Sequence, residues 1–421
     1  MTTLTTRAPR SWGPWAGIRA AISRHVLHAV VRRIPIEVRL PDGATFTCDE
    51  PPEPSAERPV LEVLRPDALV RRIADNPKIG IGEGYMAGDW RAQEGTDLAD
   101  LLLPFAERIT TAVPPTLARM RRLVDRPIPR LERNSSTGSR RNVEAHYDLS
   151  NDLFGAFLDD TMNYSAAMFD DSRPFAAQSL DEAQQRKMTA VLDLANVRDG
   201  SRVLEIGTGW GSLAIEAARR GASVTTVTLS ARQAELARRR VAEAGLQQAV
   251  DVRVQDYREV TGSFDAIVSV EMIEAVGEEY WPTYFAALDR LLAPGGTVAI
   301  QAIVMAHDRY RATRRSYGWI QKHIFPGGLI PSLHAITDVT AHHTSLRVDR
   351  VHTFGRHYGE TLRRWRHTFA AAWPTISALG FDETFRRKWE FYLAYSEAGF
   401  DSGYLDVAQI RLARPTTGVR P

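Results

Sequence analysis

The stretch Arg202-Val-Leu-Glu-Ile-Gly-Thr-Gly-Trp-Gly211 decides the fold of this chain. Residues 203–206 have the length and apolar character of a buried strand, and three glycines follow at alternate positions. Residues 213–218 then have the pattern of a helix. Glycines at a junction between a strand and a helix allow the backbone to approach a ligand closely. The sequence therefore predicts a ligand site at this turn.

The residues that follow repeat the alternation of strands and helices. Strands are predicted at 223–228, 251–254 and 264–270, with helical segments between them. This order predicts an α/β fold with an open, mostly parallel sheet. Asp256 and Tyr257 follow the strand predicted at 251–254. An acid there can accept a hydrogen bond from an adenine amino group, and a tyrosine can cover the ring.

A dinucleotide site is the main alternative for the glycine turn. The dinucleotide pattern G-x-G-x-x-G requires its third glycine at position 212 or 214, depending on whether it begins at Gly207 or Gly209, and this chain has Ser212 and Ala214 there. Glu205, near the end of the strand, suits the cationic amino-acid part of S-adenosylmethionine (SAM) better than it suits a pyrophosphate. The turn with Gly207, Gly209 and Gly211 therefore favours a SAM-dependent methyltransferase.

The composition is that of an ordinary globular protein. The 421 residues are 44% hydrophobic and 25% charged, which predicts two or three domains and excludes a fibrous or wholly disordered chain. The single cysteine, Cys48, excludes an internal disulfide and a cysteine-cluster metal site, and no metal site is predicted. No run approaches the ~20 apolar residues that span a bilayer. Arg19 and Arg24 interrupt the apolar positions of the N-terminus, so a signal peptide is not expected.

Positive charge is concentrated before Glu37, where there are six arginines and no acidic residue. After Pro14, apolar side chains recur near helical spacing, beginning with Trp15 and Ile18. An amphipathic helix with tryptophan and arginine suits the headgroup layer of an anionic membrane. The alternative is a helix packed on its own domain with its arginines in solvent.

A second basic segment, residues 119–141, has eight arginines and two acidic residues. It contains Asn134-Ser-Ser-Thr-Gly-Ser139, whose composition is typical of a flexible linker. We therefore expect a smaller mixed or helical N-terminal domain at 1–133, associated with lipid or membrane, a linker at 134–142, and a catalytic domain with a Rossmann-like sheet at 143–421.

Several motifs together resemble those of the cyclopropane-fatty-acid synthases and mycolic acid methyltransferases. The matching stretches are 80–90, 146–154, 164–165, 203–211, 228–230, 255–258, 325–328, 331–332 and 357–358. Residues 270–277, 299–303 and 395–400 look most like the tuberculostearic-acid branch of this family. The resemblance implies methylation of an oleoyl-type chain of a membrane phospholipid to a 10-methylene product, which a partner reductase saturates.

The resemblance also implies the positions of the site residues. Those expected to line the SAM pocket are Tyr164, Ser165, Gly207, Gly209, Thr228, Leu229, Gln233, Asp256 and Tyr257. The family further holds a bicarbonate ion as base, and Glu274, Ile303 and Tyr358 match its ligands. Ala166 stands where the family usually has cysteine, and Gln301 stands where it usually has histidine.

The chemistry of this reaction requires a dry, oriented site. An isolated alkene is a poor nucleophile, and the carbocation formed by methyl transfer must be shielded from water. We expect Glu274 to remove the proton, directly or through bicarbonate, with Tyr358 orienting it; a carboxylate that only complements a helix dipole is the alternative for Glu274. Proton loss with ring closure gives a cyclopropane, and proton loss after a hydride shift gives a methylene; the sequence leaves both open.

Membrane contact follows from the substrate. Moving roughly 16 methylenes through water would cost about 13 kcal/mol at ~0.8 kcal/mol each, so the acyl chain should pass from the bilayer into an apolar tunnel. The expected location is therefore cytoplasmic, at the inner face of the cell membrane. A nucleic-acid methyltransferase that uses the basic linker and a non-catalytic lipid-binding protein are alternatives, but no nucleic-acid partner is expected. SAM calorimetry and release of S-adenosylhomocysteine on oleoyl vesicles separate the three.

Overall fold

The computed structural model describes residues 31–49, 58–108 and 150–415. The chain divides into two compact units, Met1–Val124 and Asp125–Pro421. The predicted amphipathic helix after Pro14 and the predicted linker at 134–142 lie outside the described residues, so the domain boundaries of the sequence analysis stay predictions.

The first unit is a small α/β structure. Its elements are β1 (Glu37–Arg39), β2 (Thr45–Thr47), β3 (Val60–Val63), α1 (Pro66–Asp75), α2 (Pro77–Ala87), β4 (Trp90–Ala92) and α3 (Leu98–Arg108). The strands form one sheet in the order β2-β1-β3-β4, in which β1 and β3 are parallel.

Close packing of α1 against α2 depends on glycine. A Cβ atom at Gly80 would lie 2.3 Å from the backbone oxygen of Arg72, so only glycine fits there. At the end of α2, the buried carboxylate of Asp89 pairs with Arg65 and Arg72 at 3.0 and 2.7 Å. Trp90 is buried beside it and donates from its indole nitrogen to the carbonyl of Ile81. The motif at 80–90 thus joins the two helices to the sheet.

The second unit contains a seven-stranded sheet. Its strands are β5 (Arg202–Ile206), β6 (Ser223–Thr228), β7 (Val250–Val254), β8 (Phe264–Val270), β9 (Leu292–Met305), β10 (Arg347–Thr353) and β11 (Leu405–Ala413). The order is β10-β11-β9-β8-β5-β6-β7; β5 to β9 pair in parallel, while β10 and β11 are antiparallel additions. The predicted α/β fold is confirmed, with every predicted strand present within one residue of its expected bounds.

Helices follow the parallel strands and cover the sheet. They are α4 (Asn151–Gly155), α5 (Leu180–Leu194), α6 (Ser212–Arg219), α7 (Ala231–Glu243), α8 (Trp281–Leu291), α9 (His307–Thr313), α10 (Trp319–His323), α11 (Leu333–His343), α12 (Gly355–Ala371), α13 (Trp373–Ala378) and α14 (Glu383–Asp401). Two large apolar clusters, one on each side of the central strands, hold the layers together.

This topology brings the candidate site to one edge of the sheet. The carboxyl ends of β5, β6 and β8 lie side by side, because these strands are parallel neighbours. The antiparallel β11 places Gln409 directly opposite Gln301 on β9. Within the described ranges, no helix combines the length and the apolar composition that crossing a bilayer requires.

Candidate functional site: a glycine turn beside a buried carboxylate pair

The three glycines after β5 adopt backbone conformations that other residues rarely tolerate. Their φ angles are +96° at Gly207, +50° at Gly209 and +90° at Gly211. A Cβ atom at Gly211 would lie 3.2 Å from Cβ of Ala237, whereas a Cβ atom at Gly209 would meet nothing within 4 Å. Gly211 is therefore required by packing of the protein, whereas Gly209 borders open space.

Glu205 lies buried just before this turn. Thr226 Oγ1 donates to Glu205 Oε2 at 2.6 Å and lies 2.7 Å from Thr208 Oγ1. Burial raises the pKa of Glu205 to about 8, against the lowering effects of Thr226 and of the Lys187 charge. The carboxyl group is thus held by neighbouring strands, where a nearby cation would favour its ionised form.

The ends of β6 and β7 carry the remaining residues expected at the cofactor pocket. Thr228 Oγ1 donates to Gln233 Oε1 at 3.0 Å, and both residues are buried. Leu229, between them in sequence, is half-buried. Asp256 accepts hydrogen bonds from the backbone and guanidinium of Arg258, at 3.0 Å and 2.8 Å on Oδ1.

Tyr257 is held against the same edge of the sheet. Its ring packs edge-on against Tyr284 with 5.5 Å between centroids, and burial raises the pKa of its hydroxyl to about 12. The ring therefore stays neutral and offers a face beside Asp256.

Tyr164 and Ser165 join this group through side-chain contacts. Phe154 packs against Tyr164 and against Trp210 of the glycine turn, with centroid distances of 5.0 and 5.1 Å. Ser165 Oγ accepts a hydrogen bond from Lys187 Nζ at 2.8 Å.

Lys187 is a buried cation that the sequence analysis missed. Burial lowers its pKa to about 8, while Glu271, Asp159 and Glu205 oppose this shift. Its only sequence signal is a lysine on the apolar side of an amphipathic helix, between Gln184 and Met188. Solvated lysines are common on helices, so this signal alone does not identify a buried charge.

A second carboxylate, Glu271, receives most of the donors expected around the base. Its Oε1 accepts from the backbone N–H of Ala166 at 2.8 Å and from Gln301 Nε2 at 2.9 Å. Its Oε2 accepts from the hydroxyl of Tyr358 at 3.0 Å. The Tyr358 hydroxyl therefore contacts Glu271, which follows β8 directly, and the expectation that Tyr358 orients Glu274 stays a prediction.

Glu274 lies one short turn further along the chain. Its Oε1 accepts from the backbone N–H of Ile303, while its Oε2 is buried without a hydrogen-bond partner. Burial, and secondarily the charge of Glu271, raise the pKa of Glu274 to about 8. Two neighbouring buried carboxyl groups do not ionise together readily, so Glu274 holds a proton at neutral pH.

The glycine turn and the carboxylate pair are adjacent. Cγ of Met272, the residue between Glu271 and Ile273, lies 3.4 Å from the position of a Cβ at Gly207. The hydroxyl of Ser269 on β8 also donates to the carbonyl of Ile206 on β5 at 3.0 Å.

Aromatic side chains surround this edge of the sheet. Tyr358 packs on Phe400 at 4.6 Å and Tyr164 stacks on Trp365 at 5.2 Å, while the hydroxyls of Tyr164 and Tyr392 lie 2.8 Å apart. A separate surface cleft of about 300 Å³ is lined by residues 157–159, 180, 364, 367 and 368, which include no predicted site residue. The acyl tunnel expected from the sequence stays a prediction.

The residues present fit SAM. The open space at Gly209, the positive φ angles of the turn and the acceptors at Glu205 and Asp256 provide room and polar partners for it. The residues present do not fit bicarbonate. The matching donors on Ala166, Gln301 and Tyr358 are engaged by Glu271, and the one on Ile303 is engaged by Glu274. Carboxylates of the chain itself therefore occupy the donors that the resemblance assigns to bicarbonate.

Comparison with solved structures defines the class of protein. The crystal structure of the mycolic acid cyclopropane synthase CmaA1 complexed with SAH and CTAB matches with a TM-score of 0.59 and 29% identity, over 65% of this chain and 97% of that one. The cyclopropane synthase MmaA2 from Mycobacterium tuberculosis matches with a TM-score of 0.60 and 28% identity, over 65% and 98%. The fold is that of a SAM-dependent methyltransferase.

Sequence comparison gives the family. The model of the mycolic acid cyclopropane synthetase family matches residues 134–410. The tuberculostearic acid methyltransferase UfaA1 of Mycobacterium tuberculosis is 50% identical over 97% of this chain and 94% of its own length. The cyclopropane-fatty-acyl-phospholipid synthase of Escherichia coli is 34% identical over 84% and 87%. The chain belongs to the mycolic acid cyclopropane synthetase family and is a methyltransferase, as the motifs predicted.

Proposed function

We propose that this protein methylates the cis double bond of an unsaturated acyl chain, of oleoyl type, in a membrane phospholipid, and that the product is a 10-methylene chain. The observation that carries the proposal is the contact between the glycine turn and a buried pair of carboxyl groups, with aromatic side chains packed around them. The 50% identity to a tuberculostearic acid methyltransferase favours the methylene product over a cyclopropane.

The chain's own residues orient the reactants, exclude water from the site and provide a base. Bound SAM supplies a methyl group activated on a sulfonium, held at Gly207–Gly211, Glu205 and Asp256. Tyr358 and Phe400 pack at 4.6 Å and offer aromatic faces that stabilise a cation by up to ~2 kcal/mol each when desolvated. A buried carboxylate beside them removes the proton, and the burial of the site keeps water from the cation.

The proposal extends to the surroundings of the enzyme. The arginine-rich residues before Glu37 hold the protein on the anionic inner face of the cell membrane, where the lipid is taken directly from the bilayer. A separate reductase then saturates the methylene product.

The test uses the purified protein, SAM and phospholipid vesicles. We expect release of S-adenosylhomocysteine with dioleoyl vesicles and none with distearoyl vesicles, because only the former have a double bond. Mass spectrometry before and after chemical hydrogenation identifies the product, since a methylene is reduced to a methyl branch and a cyclopropane resists mild reduction. A cyclopropane would contradict the proposed product, and no turnover on either vesicle would contradict the function.

A further inference from the structure

The carboxylate of Glu271 has nearly all of its acceptor positions filled by the protein. A carboxylate offers about four lone-pair sites. Oε1 accepts from Ala166 N and Gln301 Nε2, and Oε2 accepts from the Tyr358 hydroxyl. One lone pair of Oε2 is left over, so this buried group has a defined direction in which it can accept a proton.

The partners of Glu271 are themselves fixed. Gln301 Oε1 accepts from Gln409 Nε2 at 3.1 Å, and Gln301 Nε2 also donates to the carbonyl of Ala166 at 3.3 Å. The amide of Gln301 therefore has to present its NH₂ group to Glu271. Tyr358 is held by Phe400 and by Trp365, with 6.0 Å between the rings of Tyr358 and Trp365. Donors this constrained form a preorganised site for a carboxylate.

The backbone at Glu271 is in a conformation that favours glycine. Its φ angle is +50°, and its N–H donates to the carbonyl of Gln301 at 2.7 Å. A non-glycine residue is strained in this conformation, and such strain concentrates at functional sites. The side chain is thus kept in place despite a backbone strain that glycine would relieve.

We propose that Glu271 is the general base of the reaction and takes the place of a bicarbonate ion. Methyl transfer to the alkene leaves a carbocation. A hydride shift moves the positive charge to the carbon that bears the new methyl group. A C–H bond of that methyl group then breaks, its electron pair forms the carbon–carbon double bond of the methylene, and the proton goes to the free lone pair of Glu271 Oε2. The charges balance, because the cation and the carboxylate both become neutral.

Glu274 and Lys187 complete the arrangement. Glu274 has a buried oxygen without a partner and shares no donor with Glu271, so a proton on Glu274 leaves the negative charge of the pair on Glu271. Burial raises the pKa of Glu271, and Lys187 Nζ, which is anchored on Ser165 Oγ and Asn163 Oδ1, contributes a positive charge that opposes this shift. Both residues are positioning residues for this base.

The inference rests on the proposed function and is tested in the same vesicle assay, with the full chain. Wild-type turnover in CO₂-free buffer should equal turnover with about 10 mM bicarbonate. This concentration is roughly tenfold above a Kd of 1 mM, so it would fill a weak anion site. Glu271→Gln should lower turnover by roughly 10²- to 10⁴-fold, as for loss of a general base. Its affinity for SAM by calorimetry should stay within about threefold of wild type. Glu235→Gln, at an exposed position of α7, is the matched control and should retain activity.

Glu271→Gly provides the second variant. Glycine suits the φ angle of +50°, so this variant should fold, and it frees the three donors that Glu271 engages. Added bicarbonate should then restore turnover. In ¹³C NMR, labelled bicarbonate should broaden with Glu271→Gly and not with wild type, which reads out the site without any turnover.

Four results would overturn the inference. The first is a wild-type enzyme that needs bicarbonate, and the second is a Glu271→Gln enzyme with near-normal turnover. The third is a Glu271→Gly enzyme whose turnover bicarbonate does not restore. The fourth is loss of turnover in the Glu274→Gln variant but not in the Glu271→Gln variant. A wild-type protein that releases no S-adenosylhomocysteine on oleoyl vesicles would instead contradict the proposed function. The NMR comparison would then still decide whether Glu271 fills the anion site.

Discussion

Three buried ionisable side chains set the electrostatics of the site. Burial raises the pKa of Glu205 and of Glu274 to about 8 and lowers the pKa of Lys187 to about 8. Each shift disfavours the charged form, which is the signature of desolvation. Perturbed groups that converge on one place are more typical of a reaction site than of a structural core.

The stability of the protein should therefore depend on Glu274 between pH 5 and 8. Its carboxyl has a pKa of about 8 in the folded protein and an ordinary value near 4.5 when unfolded, so the folded state binds the extra proton between these values. Its contribution to stability is complete below about pH 4.5 and is lost as the pH rises through about 8. Glu274→Gln stays uncharged, so it should gain at least about 1 kcal/mol relative to wild type between pH 5 and 8.

Urea unfolding at pH 5, 6, 7 and 8 measures this difference. The range stops at pH 8, because the lowered pKa of Lys187 adds an opposite slope above that pH. Glu235→Gln, an exposed carboxylate on α7, should follow the wild-type curve. Parallel curves for wild type and Glu274→Gln would show that Glu274 does not carry the proton assigned to it.

The sequence analysis named several residues that the structure brings together, but it did not predict their hydrogen-bond partners. Ala166, Gln301 and Tyr358 do come together, but on Glu271, to which the sequence analysis assigned no role. Glu271 and Glu274 both follow β8, in a segment without helical or strand periodicity, so the sequence does not tell which carboxylate reaches the donors. A positive φ angle at a glutamate is also invisible in a sequence.

At the scale of elements, the turn from β5 to α6 separates two roles of glycine. Gly211 faces Ala237 of α7 and is the N-cap residue of α6, while Gly209 faces open space. The same substitution at the two positions should therefore affect different properties of the protein.

Gly209→Ala should weaken SAM binding by at least tenfold, since the added methyl group enters the space expected for the ligand. Its stability should fall by only about 1–2 kcal/mol, the cost of a left-handed conformation. Gly211→Ala adds contact with Ala237 to this cost and should lower stability by more. SAM calorimetry and thermal unfolding of both variants measure the two effects. Equal losses of binding and stability at both positions would contradict the separation.

Element boundaries in the parallel half were predictable because buried strands there alternate with helices. Strands 223–228 and 264–270 coincide with β6 and β8. The C-terminal region was less predictable, because pairing of β11 with β9 and packing of α12 on α14 are long-range contacts without a local signal. These contacts place Gln409 and Phe400 at the site.

At the scale of the whole molecule, the charge of the chain is uneven. Arginines at positions 7, 10, 19, 24, 32 and 33 precede the first acidic residue. Deletion of residues 1–36, the simplest test of a membrane role, would also remove Ile34 and Ile36, which are 1% and 0% exposed in the first unit. Such a deletion would lower stability through loss of buried side chains, and this effect could not be separated from the loss of positive charge.

Substitution of charge alone avoids this problem. Changing Arg7, Arg10, Arg19 and Arg24 to glutamine removes four cations and leaves residues 31–36 intact. With about 1 kcal/mol for each cation near an anionic surface, binding to vesicles containing phosphatidylserine should weaken by at least tenfold. SAM affinity should stay unchanged.

The matched control changes four exposed arginines of the second unit, Arg198, Arg219, Arg239 and Arg350, to glutamine. Vesicle sedimentation at low and at 0.5 M salt measures the effect, since screening should remove the difference between wild type and variant. Equal weakening by both sets would assign the attraction to net charge, and no weakening by the N-terminal set would exclude a membrane role for these four arginines.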